Sequence, residues 1–431
     1  MTQMIEAPAS SSSNARALAG TQLVDVHRTS PEHAFDALLD HAIALGASDV
    51  FFVTNEQHLA VQVRHLGIVR TISIVAPEQG KRILSHVKAN SGMDLAEKRH
   101  PADGRWIYQR SSSNSSSGGG EETVDLRINV LPTLYGEDFA LRLFTRGATL
   151  FALENLGMEP QQLARYQPMI ASPGGLILIT GPTGSGKTAT LYATLIKLND
   201  GRRKINTIED PIEYAIDGIR QSQVSPAVEL GFGDLLRGVL RQSPDVIMIG
   251  EIRDDVTART AVHAANSGVL VLATLHAPST SSAVQSMRSL GVPSHFLATS
   301  LRGVVAQRLV RTLCPHCKTR FDLADAPHTF DDVRPLLNND DGKFLHAPRG
   351  CAACHMTGYA GRSGVFEVMS MDKQLRELIG AGGTARAIRA CAVEKDMLEF
   401  GAASMLKVAR GLTCTEEIFR VIPAEHMIET E

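Results

Sequence analysis

Residues Gly181 to Thr188 read Gly-Pro-Thr-Gly-Ser-Gly-Lys-Thr, which places three glycines, a lysine and a hydroxyl in the G-x-x-x-x-G-K-T spacing of a phosphate-holding loop. The apolar run Leu176-Ile177-Leu178-Ile179-Thr180 predicts a strand before it, and ATLYATLIKL predicts a helix after it. A Gly-rich turn matched by chance would lack these two flanking elements. Glycines let successive backbone N–H groups converge on phosphate oxygens, and the helix N-terminus adds partial positive charge. Gly181, Pro182, Thr183, Gly184, Ser185, Gly186, Lys187 and Thr188 are therefore the candidate nucleotide-binding set. Lys187 would neutralise the β and γ phosphates of ATP, and the Thr188 hydroxyl would reach Mg2+.

Acidic and imidazole groups stand at other strand ends. Val246-Ile247-Met248-Ile249 runs into Gly250-Glu251, so Glu251 is a candidate to orient Mg2+ through water or to polarise an attacking water. Ion pairing with Arg253 is the plainer alternative. Ile205-Asn206-Thr207-Ile208 delivers Glu209 and Asp210 before Pro211, and Glu213 follows. In a parallel sheet, ligands bind beyond the carboxyl ends of the strands, which puts these three acids near the phosphates; an ordinary Asp-Pro turn is the other reading. VLVLATL ends in His276, either a structural residue or one that hydrogen-bonds the γ-phosphate.

Cys314-Pro315-His316-Cys317 and Cys351-Ala352-Ala353-Cys354 bring four thiolates in two tight turns, a spacing suited to structural Zn2+ with Zn–S bonds of about 2.3 Å. Four protein ligands leave no position for water. Two unrelated CxxC pairs are the alternative. Cys391 and Cys414 lie in helical patterns and read as buried side chains.

These groups need a scaffold. HAFDALLDHAIALGASDV predicts an amphipathic helix ending at Gly46, followed by strand alternation through VFFVTNEQHLAVQVRHLGIVRTISI. Strand pattern resumes at RWIYQR and TVDLRINVLPTL, with SSSNSSSGGG between them as a hairpin loop. From Leu153, apolar strands alternate with helical segments, which implies a parallel sheet with helical crossovers. The expected division is a disordered tail over 1–30, an α/β domain over 31–146, a linker over 147–152 and a second α/β domain over 153–431. The second domain contains a tetracysteine insert at 311–358 and a helical region at 370–431.

At 431 residues the chain has room for two or three cores, and 43% hydrophobic with 21% charged residues is ordinary globular composition. A net charge of -3 argues against a nucleic-acid partner that binds through overall charge. No stretch of about 18 apolar residues occurs, and the first residues do not read as a signal peptide. A reducing compartment is expected, with membrane contact only peripheral.

Together these residues resemble the type II secretion and type IV pilus assembly ATPases. The resemblance rests on Gly181–Thr188, NTIEDPIEY as an "Asp box", LRQSPDVIMIGEIRD as a Walker B region and LATLHA as a "His box", and it extends from Asp49 to Val421. It implies a PAS-like N-terminal domain followed by a RecA-like ATPase domain with a zinc insert. It also implies that Arg127 and Arg142, in RINVLPTLYGEDFALRL, serve catalysis beside Glu251, Glu209 and His276; salt bridges across a solvated strand face are the alternative. EKRHPADGR matches the family's turn before a strand. The sequence departs from the pattern in three places: Val269 replaces the first His of the His box, Ala277-Pro278 replaces Thr-Asn, and Phe51 replaces His in Ala47-Ser48-Asp49-Val50-Phe51. The long leading domain of many members is expected to be absent.

The resemblance further implies a cytoplasmic homo-oligomer, a hexamer, lying peripherally at the inner membrane through a polytopic platform protein. ATP, Mg2+ and Zn2+ are the expected cofactors, and pilin or pseudopilin assembly, or type II secretion, is the expected work. Rival readings are a retraction motor, from which the cysteine insert is typically missing, a non-hydrolysing nucleotide-binding scaffold, and a RecA-like nucleic-acid motor.

Overall fold

The computed structural model describes residues 23–27, 29–109, 123–145, 152–225, 228–326 and 328–426. Most of the expected tail, the SSSNSSSGGG tract and most of the 147–152 linker lie outside these residues. The chain forms two compact units, Met1–Gly147 with Cys351–Thr357, and Ala148–Gly350 with Gly358–Glu431.

In the first unit, helix α1 (Pro31–Ala44) starts where the Ser30 hydroxyl accepts the His33 amide, with Pro31 in the first turn, and ends before Gly46 at φ 67°. Its buried stripe of Ala34, Phe35, Leu38, Leu39 and Ala42 has helical spacing. Strands β1 (Asp49–Thr54), β2 (Leu59–His65) and β3 (Ile68–Val75) precede helix α2 (Pro77–Asn90). After it come β4 (Ala102–Gln109), β5 (Thr123–Thr133) and β6 (Gly136–Thr145). The sheet order is β3-β2-β1-β6-β5-β4 and every neighbouring pair is antiparallel. Both helices share its core with Phe52 and Phe139, and the Trp106 ring stacks on Phe35 at 5.0 Å.

The second unit begins with α3 (Pro160–Ala171), β7 (Gly175–Thr180), α4 (Lys187–Leu198), β8 (Ile205–Glu209) and β9 (Arg220–Gln223). It continues through α5 (Phe232–Leu240), β10 (Val246–Ile249), α6 (Asp255–Asn266), β11 (Leu270–Leu275), α7 (Thr280–Ser289), α8 (Ser294–Ser300) and β12 (Leu301–Leu313). A small ribbon of β13 (Thr319–Asp322) and β14 (Phe344–Ala347) lies before β15 (Tyr359–Ser370). Helices α9 (Lys373–Gly380), α10 (Ala385–Glu394), α11 (Phe400–Ala409) and α12 (Thr415–Val421) follow. The sheet order is β15-β12-β7-β11-β10-β8-β9, parallel except for β15.

Helices cover both faces of this sheet, which is why β7, β10 and β11 are buried throughout and mostly apolar rather than alternating. Along β7, Leu176 and Leu178 enter the core shared with α5, α6 and α7, while Ile177 and Ile179 enter the one shared with α3 and α4. The cysteine-bearing segment leaves the sheet at the end of β12 and returns at the start of β15.

Glu367 on β15 is fully buried between two helix N-termini, accepting from the Thr280 amide of α7 at 3.4 Å and the Phe400 amide of α11 at 3.3 Å. Burial pushes its carboxyl up to about 7; these amides and Arg389 oppose the rise, and Glu399 adds to it. The folded chain therefore binds this proton more tightly than the unfolded chain, whose carboxyl sits near 4.5. The associated stability is complete below that value and is lost as pH rises through about 7. Relative to Glu367→Gln, the wild-type chain is expected to lose about 3 kcal/mol of unfolding free energy between about pH 5 and about pH 8, measured by urea denaturation.

Candidate functional site

Strand β7 delivers Gly181 to the sheet edge, and α4 begins at Lys187 with Gly186 as its N-cap at φ 90°. A Cβ on Gly181 would lie 2.4 Å from the Gln307 carbonyl and 2.7 Å from the Ser185 hydroxyl, so only glycine lets the loop pass. The Lys187 ammonium curls over the loop and donates to the carbonyls of Gly181 at 2.8 Å and Pro182 at 3.1 Å. Burial lowers its pKa, the Glu251 charge opposes that, and Arg308 adds to the lowering. The Ser185 hydroxyl is buried and has no hydrogen-bond partner among the described residues. An unsatisfied donor within a glycine cradle at a helix N-terminus fits a phosphate group.

Beside this loop, Glu251 spends both carboxylate oxygens on neighbours. One lies 2.9 Å from His276 Nε2, and the other accepts from Arg253 Nε at 2.7 Å. The Arg253 guanidinium also reaches Asp210 at 3.3 Å, and these carboxylates raise its pKa. The ion pair with Arg253 and the placement beside His276 thus coexist in one cluster. The Thr180 hydroxyl accepts from the Ala277 amide and donates to the Ala277 carbonyl, each at 2.8 Å, tying the end of β7 to the turn after His276.

Glu209 sits differently. Its buried carboxylate accepts from the Tyr192 hydroxyl of α4, from Thr207 at 2.6 Å and from Gln221 of β9 at 3.0 Å. Asp210, the next residue, is the acid of this segment that joins Arg253.

The Sγ atoms of Cys314, Cys317, Cys351 and Cys354 lie within 4.8 Å of one another. The Leu313 and Tyr359 register at the end of the β12–β15 hairpin, with Cys314 N–H donating to Gly358 O at 2.8 Å, brings the two turns together. Cys351 Sγ and Cys354 Sγ are 3.7 Å apart, too far for a disulfide and close to the roughly 3.8 Å edge of a tetrahedron with 2.3 Å Zn–S bonds. The set fits a closed zinc site.

The type II/IV secretion system protein family model matches residues 27–420. The chain belongs to that family. It is 40% identical to the type II secretion system ATPase E of Vibrio cholerae, over 90% of this chain and 74% of that protein. It is 39% identical to the type II secretion system protein E of Dickeya dadantii, over 90% and 75%. The type IV pilus assembly ATPase TfpB of Acinetobacter baylyi is 37% identical, over 90% of this chain and 65% of that protein. The fold is that of the ATPase DotB of Yersinia pseudotuberculosis, with TM-score 0.69, 20% identity and coverage of 94% and 98%. It is also that of the pilus retraction motor PilT, with TM-score 0.57, 22% identity and coverage of 89% and 96%.

Two departures from the family pattern take on positions in the structure. Val269 precedes β11 at the edge where β7 begins, its carbonyl accepting from Gly175 at 3.0 Å. Seven residues of extended chain put it about 23 Å from His276. Pro278 lies two residues beyond His276, and its carbonyl accepts from Arg308 at 2.7 Å. Cys391 and Cys414 are both buried.

Arg127 and Arg142 face each other across β5 and β6. The row extends to Arg105 on β4, Asp49 on β1 and Arg64 on β2, one line across five strands. Asp49 pairs with both Arg142 and Arg64 at 3.3 Å, Asp125 pairs with Arg105 at 2.6 Å, and Arg127 stacks on Phe144 at 4.5 Å. Both the salt bridges and an aligned set of guanidinium groups are present. Sequence reasoning left out Tyr192, Gln307 and Arg308, which carry no local signal, and it grouped Asp210 with Glu209 among the acids of one strand exit. Among the described residues, no helix is long and apolar enough to cross a membrane.

Metal analysis of the purified chain is expected to find about one Zn2+ per chain, and Cys314→Ser combined with Cys351→Ser should abolish it. The same variant should lower the thermal midpoint by about 5 °C or more, read by circular dichroism.

Proposed function

We propose that the chain is an ATP-hydrolysing motor that powers pilin or pseudopilin assembly, or type II protein secretion, from the cytoplasmic side of the inner membrane through a polytopic platform protein. The observation that carries this reading is the meeting of Glu251 and His276 beside the Lys187 loop at the carboxyl ends of adjacent parallel strands. The family membership and the fold both support it.

In this reading Gly181 to Gly186 cradle the phosphates, and Lys187 leaves its two loop carbonyls to neutralise the β and γ phosphates. Mg2+ bound at Thr188 would withdraw charge from the same oxygens. Glu251 accepts the proton of the attacking water or orients it, and His276 hydrogen-bonds the γ-phosphate side. Glu209 locks α4 to β8 and β9 through Tyr192 and Gln221, while Asp210 and Arg253 face the reaction. Arg127 and Arg142 supply permanent positive charge to phosphoryl transfer. The N-terminal unit is PAS-like, and the assembly is a homo-hexameric ring with zinc as a structural ion. The domain boundaries expected from sequence, 31–146 and 153–431 with an insert over 311–358, belong to the same proposal. The tetracysteine set favours assembly work over retraction.

Mg2+-dependent phosphate release by the purified chain tests this, with fluorescent-nucleotide titration alongside. Glu251→Gln is expected to keep nucleotide binding and lower kcat about 100-fold or more, while Lys187→Ala should remove binding. Nucleotide binding without turnover, unchanged by Glu251→Gln, would leave the scaffold reading standing instead. Mass measurement with nucleotide should find the ring; a monomer under all conditions counts against it.

A further inference from the structure

Two adjacent residues of β12, outside every motif that points to the nucleotide, reach the two loops that face the phosphates. The β12–β7 pairing ends at Ala306 opposite Thr180, so Gln307 lies abreast of Gly181. The Gln307 side chain is fully buried. Its amide Nε2 donates to the Ser185 carbonyl at 2.8 Å, and its Oε1 accepts from the Thr190 hydroxyl of α4 at 2.8 Å. One amide thereby bridges the phosphate loop and the first turn of the helix that follows it. The network continues through Thr194, which donates to the Thr190 carbonyl and meets the Tyr166 hydroxyl of α3.

Arg308 points to the other face of the strand, as the period of two requires. Its guanidinium is buried over the Phe400 ring at 4.9 Å and donates to the Pro278 carbonyl at 2.7 Å and the Gln307 carbonyl at 3.0 Å. Pro278 is two residues beyond His276. The next turn is held from β15, where Glu367 accepts from the Thr280 amide. A buried guanidinium is costly to desolvate, and a role in packing alone would be met as well by an apolar side chain. Its charge also reaches the phosphate loop, where it helps depress the Lys187 pKa.

We propose that Gln307 and Arg308 are positioning residues, Gln307 fixing the phosphate loop through the Ser185 carbonyl and Arg308 fixing the His276 turn through the Pro278 carbonyl. Consecutive residues on one strand then set the distance between the group that holds the phosphates and the group that meets the γ-phosphate side. The inference rests on the ATPase reading for its kinetic consequence, and on geometry alone for its structural one.

The test uses the full chain with Gln307→Leu, Gln307→Glu, Arg308→Gln and Arg308→Lys. Amide hydrogen exchange without nucleotide is the readout independent of activity. Gln307→Leu should speed exchange in Gly184–Lys187 and leave Ala277–Thr280 unchanged, and Arg308→Gln should do the reverse. In binding and turnover, Gln307→Leu should raise the Kd for ADP and for ATP about five- to tenfold with kcat little changed. Arg308→Gln should leave ADP affinity within about twofold and lower kcat about tenfold or more, with Arg308→Lys recovering part of the rate. Gln307→Glu keeps the acceptor for Thr190, loses the donor to Ser185, and should resemble Gln307→Leu. Exchange that rises equally in both loops, or Kd and kcat that shift together in both variants, would overturn the proposal. Variants that show the exchange pattern beside a wild-type chain without turnover would refute the motor reading and leave the positioning intact.

Discussion

The register between parallel strands is the constraint on which the chemistry of this protein depends. Val246, Leu270 and Gly175 lie abreast at one edge of the sheet, so β10, β11 and β7 run out together at the other. Glu251, His276 and the Gly181 loop come close because each follows the end of its own strand, although they are far apart in sequence. Covering helices bury every position on these strands, which leaves the strand ends as the place where charged groups can gather.

At that edge the charges satisfy one another. Glu251 divides its two oxygens between Arg253 and His276, and Arg253 divides itself between Glu251 and Asp210. Glu209 belongs to a separate, closed network that joins α4 to β8 and β9. Two neighbouring acids in the chain thus have different environments, one buried in a hydrogen-bonded network at the strand end, the other exposed beside Arg253 just beyond it.

Much of this was legible in the residues themselves where the signal was local. The Gly181–Thr188 loop carries its own flanking strand and helix, and the Cys pairs carry their own turns. The parallel core could be read from its apolar runs and their spacing. The extension of the sheet by β12 and β15 could not, because an antiparallel edge strand that returns only after a long insert is fixed by pairing between distant segments. Gln307 and Arg308 were hidden for the same reason: a buried glutamine and arginine have no motif until the strand beside them is known. The row from Arg105 to Arg64 is likewise a property of register across five strands; its members were visible beforehand only as parts of separate segments, and Arg127 and Arg142 alone were singled out.

That row also bears on the cost of ordering. Long basic side chains lose rotamer freedom when they close on a partner, and that loss weakens the closing step. Here Asp49, Asp125 and the Phe144 ring already engage guanidinium groups on neighbouring strands, which run about 4.8 Å apart. Part of that freedom is lost once, when the sheet folds. A face built in this way has less left to order than the same arginines would have on an open loop.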